Sequence, residues 1–128
     1  MNITLKGTEV KSLSLKKVEG PVIEDNMEFS YSTGYNDTLE RSFIVSLELF
    51  LNSQKEGFSL SIEYIAYFET DEDIGDDFKD SHFPLVNAPA IAYPFLRSFI
   101  STLTVNAGYE AILIPTVNFQ ALASQKKS

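Results

Sequence analysis

The chain contains no cysteine and a single histidine among its 128 residues, which excludes several kinds of chemistry. Without thiols there are no disulfide bonds, thiolate metal ligands or cysteine nucleophiles, and cysteine usage does not indicate a redox compartment. The one histidine, His82, belongs to no recognisable catalytic motif, so we expect a loop residue. The six glycines form no phosphate-binding run. We expect no enzymatic activity and no cofactor.

Basic residues are also few, with 10 Lys and Arg against 18 Asp and Glu, for a net charge of -8. This charge repels phosphate backbones and anionic lipid surfaces, so nucleic acid is not an expected partner. No apolar stretch approaches the length of a membrane span, and residues 1–7 lack the apolar segment of a signal peptide. We expect no membrane insertion and a cytoplasmic location.

Many of the acidic residues lie in one segment, residues 69–80, which cannot pack into a core at neutral pH. A calcium loop would need carboxylates at fixed spacing, but Gly75 lies one position too early and no bidentate Glu follows at the required place. The segment therefore predicts a solvated loop and no metal site. Carboxylate pairs for acid–base catalysis cannot be distinguished within this cluster.

Four segments in the first half of the chain alternate apolar and polar residues with a period of two, as half-buried strands do. They cover residues 3–15, 27–35, 43–51 and 58–68. The first segment slips phase beside Gly7, which predicts a β-bulge, and Gly20 with Pro21 supplies a turn before the second. The pattern predicts four antiparallel strands in a meander.

The strongest helical pattern follows, in a region (residues 85–122) where only Arg97 and Glu110 are charged. On a helix from about Asn87 to about Asn106, one apolar stripe contains Ile91, Phe95 and Phe99. A second stripe makes the apolar arc too broad for one sheet to cover, so we expect subunit contact through this helix. The residues assigned to that contact are Ala92, Leu96, Ile100 and Leu103.

Local signals set the limits of the helices. Pro94 removes one helical hydrogen bond, so we expect the helix to kink there or to begin properly only there. Asn87 is the expected N-cap, Gly108 the expected end, and residues 117–122 a short final helix. Together these signals predict an α+β fold in a single domain spanning residues 1–128: a four-stranded antiparallel sheet, a long helix and a short C-terminal helix.

Aromatic residues are numerous for an acidic chain of this size, with ten Phe and six Tyr. Most are expected in the core. The remainder would suit a surface that accepts varied apolar segments, because burying a guest side chain contributes about 1.5–3 kcal/mol and requires no particular sequence.

The C-terminal third carries a family resemblance. The run PAIAYPFLR at residues 89–97 is followed by Ile100, Ser101, Gly108 and Pro115, and then by VNFQAL at residues 117–122. These motifs, about a third of the chain, resemble the long-helix and terminal-helix signature of SecB, the bacterial protein-export chaperone family. The resemblance implies sheets joined edge to edge in a dimer, and dimers that meet through their long helices in a homotetramer.

The same resemblance implies an ATP-independent chaperone that holds unfolded polypeptides in grooves between the sheet, the helices and the connecting loops. Several weak contacts with one client would act together as avidity. The groove residues it suggests, each with ordinary core as the alternative, are Phe29, Tyr31, Tyr93, Phe99, Leu113, Ile114, Phe119 and Leu122.

The resemblance also implies protein partners other than unfolded clients. Members of the family hand clients to the SecA motor through acidic residues on the exposed sheet face, and Glu63 is the candidate here. Ser12 and Lys16 stand where the family pattern has acids, a departure that argues against SecA delivery. An antitoxin of a toxin–antitoxin system is the alternative client. An adaptor subunit with one fixed partner and a small-ligand binder with a closed pocket are alternatives from other classes.

Overall fold

The computed structural model describes residues 1–19 and 24–127, and in this part of the chain four strands are followed by helices. The strands are β1 (Ile3–Lys17), β2 (Asn26–Tyr35), β3 (Ser42–Ser53) and β4 (Phe58–Thr70). The helices are α1 (Asp76–Lys79), α2 (Ala88–Asn106) and α3 (Phe119–Lys127), and a π-helical turn (Phe83–Asn87) leads into α2. The predicted α+β class, with its long helix and short C-terminal helix, is confirmed.

The strand order is β1-β4-β3-β2, with every neighbouring pair antiparallel. β2, β3 and β4 form the predicted meander, but β1 pairs with β4 and not with β2, so the four-strand meander is wrong at this point. The end of β1 and the start of β2 lie at the same end of the sheet, where Lys17 pairs with Phe58 and Asn26 with Asn52. The predicted turn at Gly20 and Pro21 lies outside the described residues.

Strand β1 contains the predicted bulge and a second one. Its register with β4 shifts between Leu5 and Gly7 and again between Val10 and Ser12. Each shift inserts one extra residue. The first one restores the alternation that places Leu5 and Val10 on the same face of the sheet, opposite Phe68 and Tyr64. The phase slip in the sequence is therefore absorbed by the backbone.

One face of the sheet carries the core. The buried side chains of β3 and β4 alternate along this inner face, and α2 packs against β1, β3 and β4. The largest fully buried side chains include Phe58, Phe68, Leu47, Leu60, Leu96 and Ile100. A single apolar layer between sheet and helix thus fixes α2 across the strands.

The acidic segment is less open than predicted. Its carboxylates Asp71, Glu72, Asp73, Asp76 and Asp77 are exposed as expected. However, β4 extends through Thr70, and the single turn of α1 turns Phe78 into the core, where its ring lies 5.4 Å from that of Phe43. Phe78 and the half-buried Ile74, whose amide donates to the carbonyl of Glu40 at 2.8 Å, anchor the segment to the core.

Helix α2 begins at Ala88, so its predicted range is confirmed and a start at Pro94 is wrong. Asn87 makes no side-chain cap, because the π-helical turn supplies helical backbone before it. Gly108, with φ of 98°, ends the helix as predicted. The amides of Gly108 and Tyr109 donate to the carbonyls of Val105 and Thr104, respectively, in a Schellman arrangement.

The described residues contain no helix whose length and apolar character would allow it to span a membrane.

Candidate functional site

Four aromatic rings meet beside β2, one of the two edge strands of the described sheet, and we call them the aromatic cluster: Phe29, Tyr31, Tyr93 and Phe119. Phe119 lies 6.0 Å from Phe29, 5.3 Å from Tyr31 and 5.7 Å from Tyr93, in each case edge to face. Edge-to-face packing places the positive ring edge on the negative ring face, which adds to the apolar burial. The cluster joins β2, α2 and α3.

The two tyrosines also fix their surroundings through their hydroxyls. Tyr31 donates to the carbonyl of Leu85 at 2.7 Å, and Tyr93 donates to the carbonyl of Pro115. Burial raises the pKa of both hydroxyls above the ordinary value, and nearby Arg97 partly opposes that rise at Tyr93. Both groups therefore stay protonated donors at neutral pH.

Helix α3 is set in place by its first residues. Asn118 precedes it, and its side-chain oxygen accepts the amide of Ala121 at 3.0 Å, as an N-cap does. Phe119 then enters the aromatic cluster, and Ala123 one turn later is also buried. The predicted short helix is confirmed, starting two residues later than the predicted range and running further.

Two open troughs flank the aromatic cluster along β2. The first, of about 350 Å³, lies between the ends of β2 and β3 and the segment of residues 109–118, which we call the strap. Met27 and Leu51 line it from the strands, and Leu113 and Pro115 line it from the strap. The second, of about 230 Å³, is lined by Phe29, Tyr31, Leu122, Ser30 and Gln125. Both troughs offer apolar surface that opens to solvent.

The structure separates the predicted groove residues into two kinds. Tyr31, Tyr93, Ile114 and Phe119 are buried, so they form the floor and the supports of the troughs. Phe29, Phe99 and Leu122 are half-buried, and Leu113 is 73% exposed. Phe99 packs near Tyr64 (5.9 Å between ring centroids) and lines neither trough.

Sequence reasoning missed several trough residues. Met27 and Leu51 are ordinary strand residues in the sequence, and only the strand order places them opposite the strap. Thr104 and Arg97, which bond to the strap backbone, were also missed. Arg97 could have been recognised from the sequence, because it is the one charged residue between residues 85 and 109.

The stripe of α2 that was assigned to subunit contact faces the protomer's own sheet, so that assignment is wrong. Ala92, Leu96 and Ile100 are 0% exposed because they pack on the protomer's own sheet, and Leu103 is half-buried. The exposed apolar side chains are on the other stripe, where Ile91 is 41% and Phe95 is 49% exposed. The width of the apolar arc was real, but its sheet-facing half could not be identified from periodicity alone.

Glu63 lies on the outer face of the sheet, as strand register predicts. Its carboxylate accepts a hydrogen bond from Ser46 at 3.0 Å and pairs with Lys11 at 3.5 Å. It is directly opposite Ser12 on β1 and Glu48 on β3, in a shallow outer groove of about 440 Å³. A partner binding here would meet a carboxylate that already has local partners.

Comparison with known sequences agrees with this architecture. The family model for SecB, preprotein translocase subunit SecB, matches residues 2–128. The protein-export protein SecB of Rickettsia felis is 26% identical over 138 aligned residues, which cover 99% of this chain and 89% of the relative. An uncharacterized protein of Methanocaldococcus jannaschii is 29% identical over 97 residues, which cover 73% of this chain and 61% of that protein.

Solved structures share the fold. A SecB-like chaperone of Mycobacterium tuberculosis, in complex with a ChAD peptide from the HigA1 antitoxin, superposes with a TM-score of 0.70 at 13% identity, over 90% of this chain and 87% of the other. A protein of unknown function from Streptococcus agalactiae gives a TM-score of 0.62 at 12% identity, over 91% of this chain and 98% of that one. With a family match along nearly the whole chain and the fold of a SecB-like chaperone, the predicted resemblance is confirmed, and this chain belongs to the SecB family.

Proposed function

We propose that this chain is an ATP-independent holdase that binds unfolded polypeptides in the two troughs along β2. The observation that supports this proposal is the set of incompletely buried apolar side chains that line the two troughs: Met27, Phe29, Leu113 and Leu122. Each apolar client side chain that enters a trough would contribute about 1.5–3 kcal/mol whatever its sequence. A folded client hides such side chains and is released.

The position of β2 supports an extended client. It is at one edge of the described sheet, so the row of peptide groups on its outer side has no neighbouring strand. An extended segment can satisfy such groups while its alternate side chains enter adjacent pockets. Backbone hydrogen bonds would then supply affinity without sequence selectivity.

A homotetramer, as a dimer of dimers, is part of the proposal. The exposed stripe of α2 around Ile91 and Phe95 is apolar and has no cover within the described protomer. A second copy meeting it would bury both side chains and would bring several troughs into one assembly. Linked troughs would engage one client at several points, so weak single contacts would add up as avidity.

The central experiment is suppression of aggregation in nucleotide-free buffer. A chemically denatured protein is diluted into buffer with the chaperone at one tetramer per client, and light scattering is followed. We expect scattering to be suppressed, and more strongly than by the same mass of serum albumin. Suppression no greater than by albumin would refute the holdase proposal.

The proposal includes two more specific partners, the SecA motor and an antitoxin. Delivery to SecA would use Glu63, but its pairing with Lys11 and the neutral Ser12 beside it weaken the acidic character of the outer face. Service to an antitoxin is supported by the shared fold with the mycobacterial chaperone that was solved with an antitoxin peptide. Calorimetric titration with purified SecA and with an antitoxin peptide distinguishes them, and Glu63→Gln should weaken only SecA binding.

A further inference from the structure

The strap is held to α2 by side chains rather than by strand pairing. Arg97 Nε donates to the carbonyl of Ile114 at 2.9 Å, and the Tyr93 hydroxyl donates to the carbonyl of Pro115. Further along the helix, the Thr104 hydroxyl oxygen accepts the amide of Ile112 at 3.1 Å. Three side chains of one helix thus bond to three backbone groups within four consecutive strap residues.

The spacing of these donors suits the strap. Tyr93 and Arg97 are four residues apart, so they lie on one face of α2 and reach two successive carbonyls. Pro115 has no amide hydrogen and favours an extended conformation at Ile114. In an extended segment neighbouring side chains point to opposite sides, which is why Ile114 is 1% exposed while Leu113 is 73% exposed.

The strap is also one wall of the first trough. Leu113 and Pro115 face Met27 and Leu51 across the space of about 350 Å³. The strand wall is fixed by the sheet, so the width of the trough depends on where the strap lies. That position depends on the bonds from α2.

We infer that Tyr93 and Arg97 are positioning residues that hold the strap at the width a client requires, and that they set how long a client stays bound. This inference rests on the proposed holdase function. Neither side chain needs to touch the client. Loss of their bonds would let the strap move away from β2, so client dissociation would accelerate while the sheet and α2 remained folded.

The test uses Tyr93→Phe and Arg97→Gln, singly and together, in the full-length protein. The matched control is Lys55→Gln, which also removes one positive charge from a strap contact, the exposed pair between Lys55 and Glu110 at 3.2 Å. Exposed ion pairs contribute little to stability. This control should therefore change the amide exchange rate of the strap and the dissociation rate of the client by less than about twofold each. Far-UV circular dichroism confirms folding. If Arg97→Gln does not fold, Tyr93→Phe, which removes one oxygen atom, carries the test.

Two rates are measured. Amide hydrogen exchange in residues 110–118, without client, should rise about tenfold in the double variant, because bonds to a charged donor and to a buried hydroxyl are lost. The dissociation rate of reduced, carboxymethylated α-lactalbumin, a permanently unfolded probe, should rise by about the same factor. Exchange in β3 should not change.

The outcomes are distinct. Faster strap exchange with unchanged client dissociation would overturn the inference, and so would unchanged exchange in a double variant that is folded. Wild-type protein that fails to bind the probe would instead refute the proposed holdase function, and with it the claim that the two residues set client residence time. The exchange comparison would still decide whether Tyr93 and Arg97 hold the strap.

Discussion

The ring of Phe119 meets the ring of Tyr31 edge to face, with centroids 5.3 Å apart and planes 85° apart. Tyr31 belongs to edge strand β2 and Phe119 to α3, so this contact fastens the C-terminal helix to the sheet. Phe119 also contacts Phe29 and Tyr93, and it is 4% exposed. One buried ring therefore joins α3 to β2 and α2, and it keeps Leu122 of the second trough beside the sheet.

Phe119→Ala should lower the free energy of unfolding by about 3 kcal/mol. This value is near the lower end for Phe→Ala changes, because α3 can shift and partly fill the cavity that the ring leaves. Urea denaturation followed by circular dichroism measures this change. Leu122→Ala, which truncates a half-buried neighbour on the same helix, is the matched comparison and should cost clearly less. Equal effects of the two substitutions would contradict the central role of Phe119.

Leu113→Ser should leave stability within about 0.5 kcal/mol of wild type, because the side chain is already mostly exposed. Affinity for an unfolded client should fall severalfold, since a wall of the first trough loses its apolar group. Fluorescence anisotropy of a labelled unfolded peptide measures this affinity. Leu39→Ser, at a 54% exposed leucine that lines neither trough, is the control. An equal loss of affinity in both variants would argue against a role for Leu113.

Period-two and helical patterns predicted the strands and both main helices because each element buries one face against the same apolar layer. The place of β1 beside β4 was not predictable, since alternation shows which face is buried and says nothing about the neighbour. The choice between the stripes of Ile91 and Leu96 failed for a related reason: both are apolar, and only the packed sheet decides which is covered. Tyr93 and Thr104 support the strap by bonding to backbone groups, which leave no pattern in the sequence. Of the supports, only Arg97 was marked in the sequence, by its isolated charge.

Thr104→Val should destabilise the protein by about 1–2 kcal/mol despite its similar shape, because the Ile112 amide loses its acceptor. The hydroxyl also donates, in shared fashion, to the carbonyls of Ile100 at 2.9 Å and Ser101 at 3.1 Å, so the variant removes both the donor and the acceptor of one fully buried group. Amide exchange at Ile112 should accelerate in Thr104→Val and stay near wild type in Thr104→Ser, which keeps the hydroxyl. Equal exchange in the two variants would exclude this bond as the cause.

Asp71 should titrate below its ordinary pKa of 3.8, because its carboxylate accepts the backbone amide of Asn2 at 2.8 Å. A carboxyl whose pKa is lower in the folded state contributes stability above its unfolded pKa, and this contribution is lost as the pH falls through the folded value. The bond should thus break in the acid range, below about pH 4. NMR titration of the Asp71 carboxyl measures this directly, and a midpoint at or above 3.8 would contradict the bond. In Asp71→Asn, the free energy of unfolding should fall less steeply as the pH is lowered through the acid range.

If the proposed homotetramer meets through this stripe, Phe95→Glu should lower its mass without unfolding the protomer. The side chain is 49% exposed on the stripe of α2 that faces away from the sheet, so a charge there is tolerated by a lone protomer. Between two copies it would be a buried, unpaired charge, which is strongly disfavoured. Light scattering should therefore report a smaller multiple of the 14.3 kDa chain than for wild type. Leu39→Glu adds the same charge at a comparably exposed leucine and should leave the mass unchanged. A Phe95→Glu protein with the wild-type mass would place the subunit contact elsewhere than on this stripe.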